Sequence, residues 1–153
     1  MEMVSIYTSL ISGLFSTILS LIVTLLINIF FQRRYEEKSF SETRMKLNEI
    51  MLNEPFLRND DLIKYFLTGD AKEDNIKLKK YDLFCIMGYN YLKSLCEYYG
   101  YNKNKEFVKK YNFVQNINSS RDWWKNNHDK NIERYGEKFV KFVDDFIRYN
   151  IPI

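Results

Sequence analysis

The chain has 153 residues, of which 46% are apolar and 17% aromatic, with 23 basic against 20 acidic side chains and a net charge of +3. Twelve Tyr and twelve Phe offer too much buriable surface for a disordered tail, and five Gly with two Pro are too little punctuation for a many-stranded sandwich or barrel. The near-balance of charge lacks the basic stripe of a nucleic-acid module, and the length leaves about 120 residues for one compact domain once a membrane segment is set aside.

From Met3 to Phe31 the sequence runs for 29 residues without a charge, and about 20 apolar residues suffice for a helix to span a bilayer. A cleaved secretory signal begins with basic residues and ends with small ones. This segment begins with Glu2 and ends in Ile27-Asn28-Ile29-Phe30-Phe31, so the expectation is a retained anchor. Arg33 and Arg34 follow the span directly, which predicts a single-pass protein of the inner (plasma) membrane with its N-terminus outside and its C-terminal part cytoplasmic.

Inside the span, Ser5, Ser9, Ser12, Gly13, Ser16, Ser20 and Thr24 recur at spacings of three and four. On a helix these positions fall within an arc of about 120°, opposite Leu10, Ile11, Leu14, Leu21, Ile22 and Leu25. Small residues four apart admit a second backbone and their hydroxyls bond across helices, so this face is read as packing against another transmembrane helix, of a second copy or of another protein. The competing explanation is that the hydroxyls return hydrogen bonds to carbonyls one turn back in their own helix. A pore lined by these hydroxyls is a third reading, against which nothing in the stripe is charged, as many ion pathways are.

The chain therefore divides into an anchor with its flanks, residues 1–34, and a cytoplasmic helical domain, residues 35–153. Ser39-Phe40-Ser41-Glu42 has the spacing of a capping box and predicts a helix to about Asn53 with Phe40, Leu47, Ile50 and Met51 inward, unless the membrane helix continues unbroken through Lys38. Pro55 ends it. Asn59 or Asp60 caps a short helix containing Leu62, Ile63, Phe66 and Leu67, closed by Gly69 before a polar loop.

The longest soluble pattern runs from about Ile76 to Tyr99 before Gly100, with Leu83, Phe84, Met87, Tyr91, Leu92, Leu95, Tyr98 and Tyr99 at helical spacing. Asn104 caps a fourth helix with Phe107, Val108, Tyr111 and Val114 on one face. A fifth begins near Ser119 or Ser120. The last, about Asn131 to Tyr149, places Phe139, Phe142, Val143, Phe146 and Ile147 together. The fold class is all-α: one N-terminal transmembrane helix followed by a compact bundle of about five to six helices.

Chemistry is sparse. Cys85 and Cys96, eleven residues apart in one predicted helix, lie about 16 Å apart along its axis and read as buried free thiols. His128 is the single histidine, set in the polar run Asn126-Asn127-His128-Asp129 of a solvated turn or helix end. The pairs Asp60-Asp61 and Asp144-Asp145 point adjacent carboxylates about 100° apart on a helix, which suits capping and solvation better than one metal. With no glycine-rich phosphate loop either, no catalytic set, cofactor or metal is expected, and the chain is read as a non-enzyme.

The expected partners are the bilayer, a second transmembrane helix, and anionic lipid headgroups beside the basic runs Lys77–Lys80 and Lys103–Lys110, which otherwise read as solvated faces; nucleic acid is not among them. The constellation that stands out is Arg121, Trp123 and Trp124 in Ser119-Ser120-Arg121-Asp122-Trp123-Trp124. Arg suits an indole face or a buried carboxylate and both indole N–H groups need acceptors, so the segment is read first as a clamp between the last two helices and second as a partner-binding hot spot.

A membrane span, a helix ending at Asn53-Glu54-Pro55-Phe56, a long aromatic helix, and Arg121-Asp122-Trp123-Trp124 before a Phe-rich closing helix together resemble small bacterial families of unknown function. The resemblance implies a membrane-anchored helical domain and carries over no catalytic residue. The functional expectation is a membrane-anchored interaction, scaffold or sensor subunit. The alternatives are a membrane-perturbing effector, such as a toxin or defence component acting through self-association of its span, and an enzyme with an unrecognised site.

Overall fold

The computed structural model describes residues 2–58, 75–101 and 105–149, and among them every regular element is helical. One long apolar N-terminal helix is followed by a compact helical bundle. The chain divides into two units, Met1–Glu42 and Thr43–Ile153.

Helix α1 runs unbroken over Glu2–Asn53. No helix starts at Ser39, because between Gly13 and Pro55 there is neither Gly nor Pro, and the Arg, Glu and Lys residues after the apolar stretch are good helix formers. The N–H groups that a capping box would satisfy are already bonded one turn back, so its spacing carries no boundary here. Pro55 lacks the donor for another turn, and the chain passes into a single 3-10 turn, Pro55–Arg58, with Leu57 N–H donating to Glu54 O at 3.0 Å. Phe40 and Leu47 are buried, and Ile50 and Met51 half-buried. The short helix expected around Leu62–Leu67 lies outside the described residues.

Helix α2, Asn75–Tyr99, is the spine of the bundle. It stops where expected: Gly100 takes φ +79° and Tyr101 N–H reaches back to Cys96 O at 2.8 Å, the six-to-one bond that closes a helix through a left-handed glycine. Its inward face is Tyr81, Cys85, Tyr89, Leu92 and Cys96, all buried, together with Tyr91 and Leu95. Leu83 and Met87, expected in the core, are exposed. Two residues on a helix turn through about 200°, so once Cys85 and Tyr89 face inward, Leu83 and Met87 must face out.

Residues 105–149 fold as five short helices: α3, Lys105–Lys110; α4, Phe113–Ser119; α5, Arg121–Asn126; α6, His128–Tyr135; and α7, Glu137–Tyr149. The single helix expected from Asn104 through Val114 is broken at Asn112, which adopts φ +52° and ψ +37°, a left-handed conformation that Asn tolerates better than most residues. The break brings Phe113 fully inside beside Ile117 and leaves Val114 half-buried. The expected closing helix from Asn131 is likewise two. Gly136, at φ +82° and ψ +152°, occupies a region open essentially to glycine alone, and it separates α6 from α7.

Aromatic rings fill the space between these segments. Tyr89 of α2 stacks on Trp123 at 5.5 Å and meets Trp124 at 4.4 Å, and Trp124 meets Tyr135 and Phe139. A second group joins Tyr99, Phe107 and Tyr111 to Phe113, and Phe113 to Phe142 and Phe146. Phe139, Phe142, Val143, Phe146 and Ile147 of α7 are all buried, as their spacing requires.

Candidate functional site

The Arg121-Asp122-Trp123-Trp124 segment starts α5, and its two indoles are almost wholly buried. Each buried N–H finds a carboxylate: Trp123 Nε1 donates to Asp82 Oδ1 of α2 at 2.7 Å, and Trp124 Nε1 donates to Asp144 Oδ1 of α7 at 2.8 Å. Charge-assisted bonds of this length are about twice as strong as neutral ones. Trp124 therefore bonds α5 to α7, while Trp123 bonds α5 to the spine. The two acceptors, Asp82 and Asp144, carry no local sequence signal, because each lies at least 20 residues from its indole.

Arg121 takes a different partner from the one its chemistry favours. It donates from Nη2 to Ile147 O at 3.3 Å, at the last turns of α7, and its Nε is buried without a hydrogen-bond partner. The cation thus helps close the carbonyl end of α7. Asn131, fully buried, donates to Trp124 O at 3.1 Å.

Asp144 has a second client. His128, the first residue of α6, places Nε2 3.0 Å from Asp144 Oδ2. Asp144 is thus a shared acceptor rather than a solvated surface acid. This hydrogen bond raises the His128 pKa above its ordinary value; desolvation opposes it, and the charges of Asp144 and then Asp129 reinforce it. The sign follows: the ring's charged form stabilises the fold below the unfolded-state pKa of about 6.5, and that contribution fades as pH rises through the higher folded value. We expect NMR titration of His128 to show an elevated pKa in the wild type and a lower one in Asp144→Asn, whose amide oxygen still accepts from Trp124. Equal titration curves would remove the pair.

Around this pair a shallow depression of about 390 Å³ gathers Arg121, Lys125, His128 and Arg148 beside Asp144. The larger concavity is elsewhere, at about 710 Å³, bounded by the Arg44–Leu52 end of α1, by Leu57, by α2 and by the Asn112–Ser120 segment. On its wall, buried Ser120 donates to Asn116 O at 2.9 Å and lies 3.1 Å from Tyr89 Oη.

Cys85 and Cys96 are free and buried. Burial pushes the Cys96 thiol up to about 12 and raises that of Cys85 as well, so neither offers a thiolate near neutral pH. Among the described residues no group of three His, Cys, Asp or Glu is placed to hold a metal ion. In the basic runs, Lys80 is paired with Glu54 and the Lys110 ammonium lies 5.2 Å from the Tyr111 ring centroid.

In the apolar part of α1, Ser12, Gly13, Ser16, Ser20 and Thr24 are all exposed, as are Arg33 and Arg34 after it. The side chains of Ser5 and Ser9 lie outside the described set. Thr24 Oγ1 donates to Ser20 O and Thr17 Oγ1 to Gly13 O, both at 2.8 Å, so at Thr24 the hydroxyl is returned to its own helix. Among the described residues one helix is long and apolar enough to cross a membrane, and none of its apolar window is buried within the protein. No protein-family model matches this chain, and no curated protein or solved structure matches it either.

Proposed function

We propose that the chain is a single-pass membrane protein whose N-terminus lies outside and whose helical domain, residues 35–153, is cytoplasmic, acting without catalysis as an interaction, scaffold or sensor subunit. The observation that carries this reading is the uncovered apolar length of α1: side chains such as Leu14, Ile18, Leu21 and Leu25 are each more than half exposed to their surroundings. Water is a poor solvent for such a surface and the hydrocarbon core of a bilayer is a good one. Arg33 and Arg34 support the orientation through the excess of positive charge on cytoplasmic flanks. In the domain, Leu83 and Met87 lie one turn apart on the outer face of α2 and add an exposed apolar contact of its own.

The small-residue face of the span is the proposed contact with a second transmembrane helix, of this chain or another. Oxidative cross-linking in native membranes tests it. Single cysteines at Ser16 and Ser20 are expected to form dimeric or partner-linked products, while cysteines at Leu14 and Leu21 do not. The two native thiols are buried and contribute little background. Equal yields on both faces would refute the packing surface.

A further inference from the structure

We propose that the 710 Å³ cavity of the helical domain is a binding site for an amphiphilic monocarboxylate, with its carboxylate at Arg44 and its apolar chain against α2. The volume lies within the range of about 300–1,000 Å³ typical of small-ligand pockets. Its lining is divided by chemistry: Leu47, Leu57 and Leu92 supply a buried apolar floor, whereas Asn112, Gln115 and Asn116 supply neutral amides. Among the described residues Arg44 is the one charged residue on the lining. A ligand that matches such a wall has one negative charge and a predominantly apolar body.

Two features of the chain make sense on this reading. Gly88 stands in the middle of a 25-residue helix, where glycine is less favourable than alanine, and nothing lies within 4 Å of where its Cβ would be. Packing does not require a glycine there; the cavity that Gly88 lines does, because any side chain would occupy it. Arg44 is held in place without being neutralised. It donates to Lys110 O at 3.4 Å, and with the Asn112 amide oxygen turned toward it, to that oxygen at 3.2 Å. Both acceptors are uncharged, so the guanidinium retains its charge and further donors for a carboxylate.

The site belongs to the helical domain alone and goes beyond the anchoring role, so its failure would leave the cross-linking result at Ser16 and Ser20 unaffected. The test uses the full chain in nanodiscs of zwitterionic lipid, with radiolabelled decanoate in equilibrium dialysis and empty discs as background. Wild type is expected to show one saturable site. Gly88→Leu is expected to bind at least tenfold more weakly with a melting temperature equal to or above wild type, which separates a filled cavity from a damaged fold. Arg44→Gln is expected to lose at least tenfold for decanoate and nothing for decan-1-ol. Wild-type binding no greater than that of empty discs, or wild-type affinity in Gly88→Leu, overturns the site. Undiminished decanoate affinity in Arg44→Gln overturns the carboxylate assignment.

Discussion

Ile18→Arg combined with Leu21→Arg is expected to move the chain out of the carbonate-resistant membrane pellet. Both side chains lie near the middle of the charge-free segment and neither is covered by protein. An arginine at the centre of a spanning helix costs about 2.5–3.5 kcal/mol on the insertion scale, so two cost about 5–7 kcal/mol, before counting the favourable Ile and Leu contributions they replace. That corresponds to a shift of roughly 10⁴-fold in the insertion equilibrium. Snorkelling to the headgroups is least effective at mid-span, which is why this pair is chosen over residues near Arg33. Fractionation followed by immunoblotting reads the result. A double variant that stays in the carbonate-resistant pellet would mean that α1 is held at the membrane by something other than its own apolar length.

Trp124→Ala should have the largest effect on the domain. The side chain is fully buried, meets Tyr89, Tyr135 and Phe139, and donates its N–H to Asp144. Truncating a large aromatic in a core costs about 3–5 kcal/mol, a large part of the roughly 5–15 kcal/mol that holds a domain together. For a domain of this size the melting temperature should fall by about 15–30 °C. Near-ultraviolet circular dichroism of the full chain in detergent follows it, with Leu83→Ala as the control, because Leu83 is exposed and should shift the midpoint by no more than a few degrees. Trp124→Phe should fall between the two: the ring stacking largely survives and the bond to Asp144 does not. If Trp124→Ala melted with Leu83→Ala, the indole would not be closing the bundle.

Together these variants separate the two kinds of solvent the chain is built for. The apolar side chains of α1 between Ile11 and Phe31 find no cover inside the protein, whereas those of α7 are covered by the domain's own aromatic rings. Hydrophobicity alone does not distinguish the cases. Periodicity does: α7 alternates buried Phe139, Phe142 and Phe146 with exposed Lys138 and Lys141, while the segment from Met3 to Phe31 has no charged face at all.

Much of this architecture is legible in local spacing, because the relevant physics acts over a few residues. The charge-free run before Arg33, the end of α2 at Gly100, the stop at Pro55 and the inward face of α7 each depend on a helical turn or a backbone preference, and each stands in the structure where the sequence places it. In α2 the spacing holds for Tyr91, Leu92, Leu95 and the buried thiols of Cys85 and Cys96, whereas Leu83 and Met87 face out and Tyr81 and Tyr89 face the core. Asn112 and Gly136 are visible as permissive residues, yet whether they continue a helix or break it depends on what the following segment gains by turning inward.

Long-range pairing belongs to the folded chain alone. Asp82 and Asp144 become acceptors for Trp123 and Trp124 across 41 and 20 residues of sequence, and no pattern near either indole announces them. The cavity is likewise assembled from four separate stretches, which only the packed bundle brings together. Local free energies decide where helices start, stop and which face is apolar; the identity of the groups that meet across the core is decided by how those faces close on one another, a cooperative outcome that no single window of sequence contains.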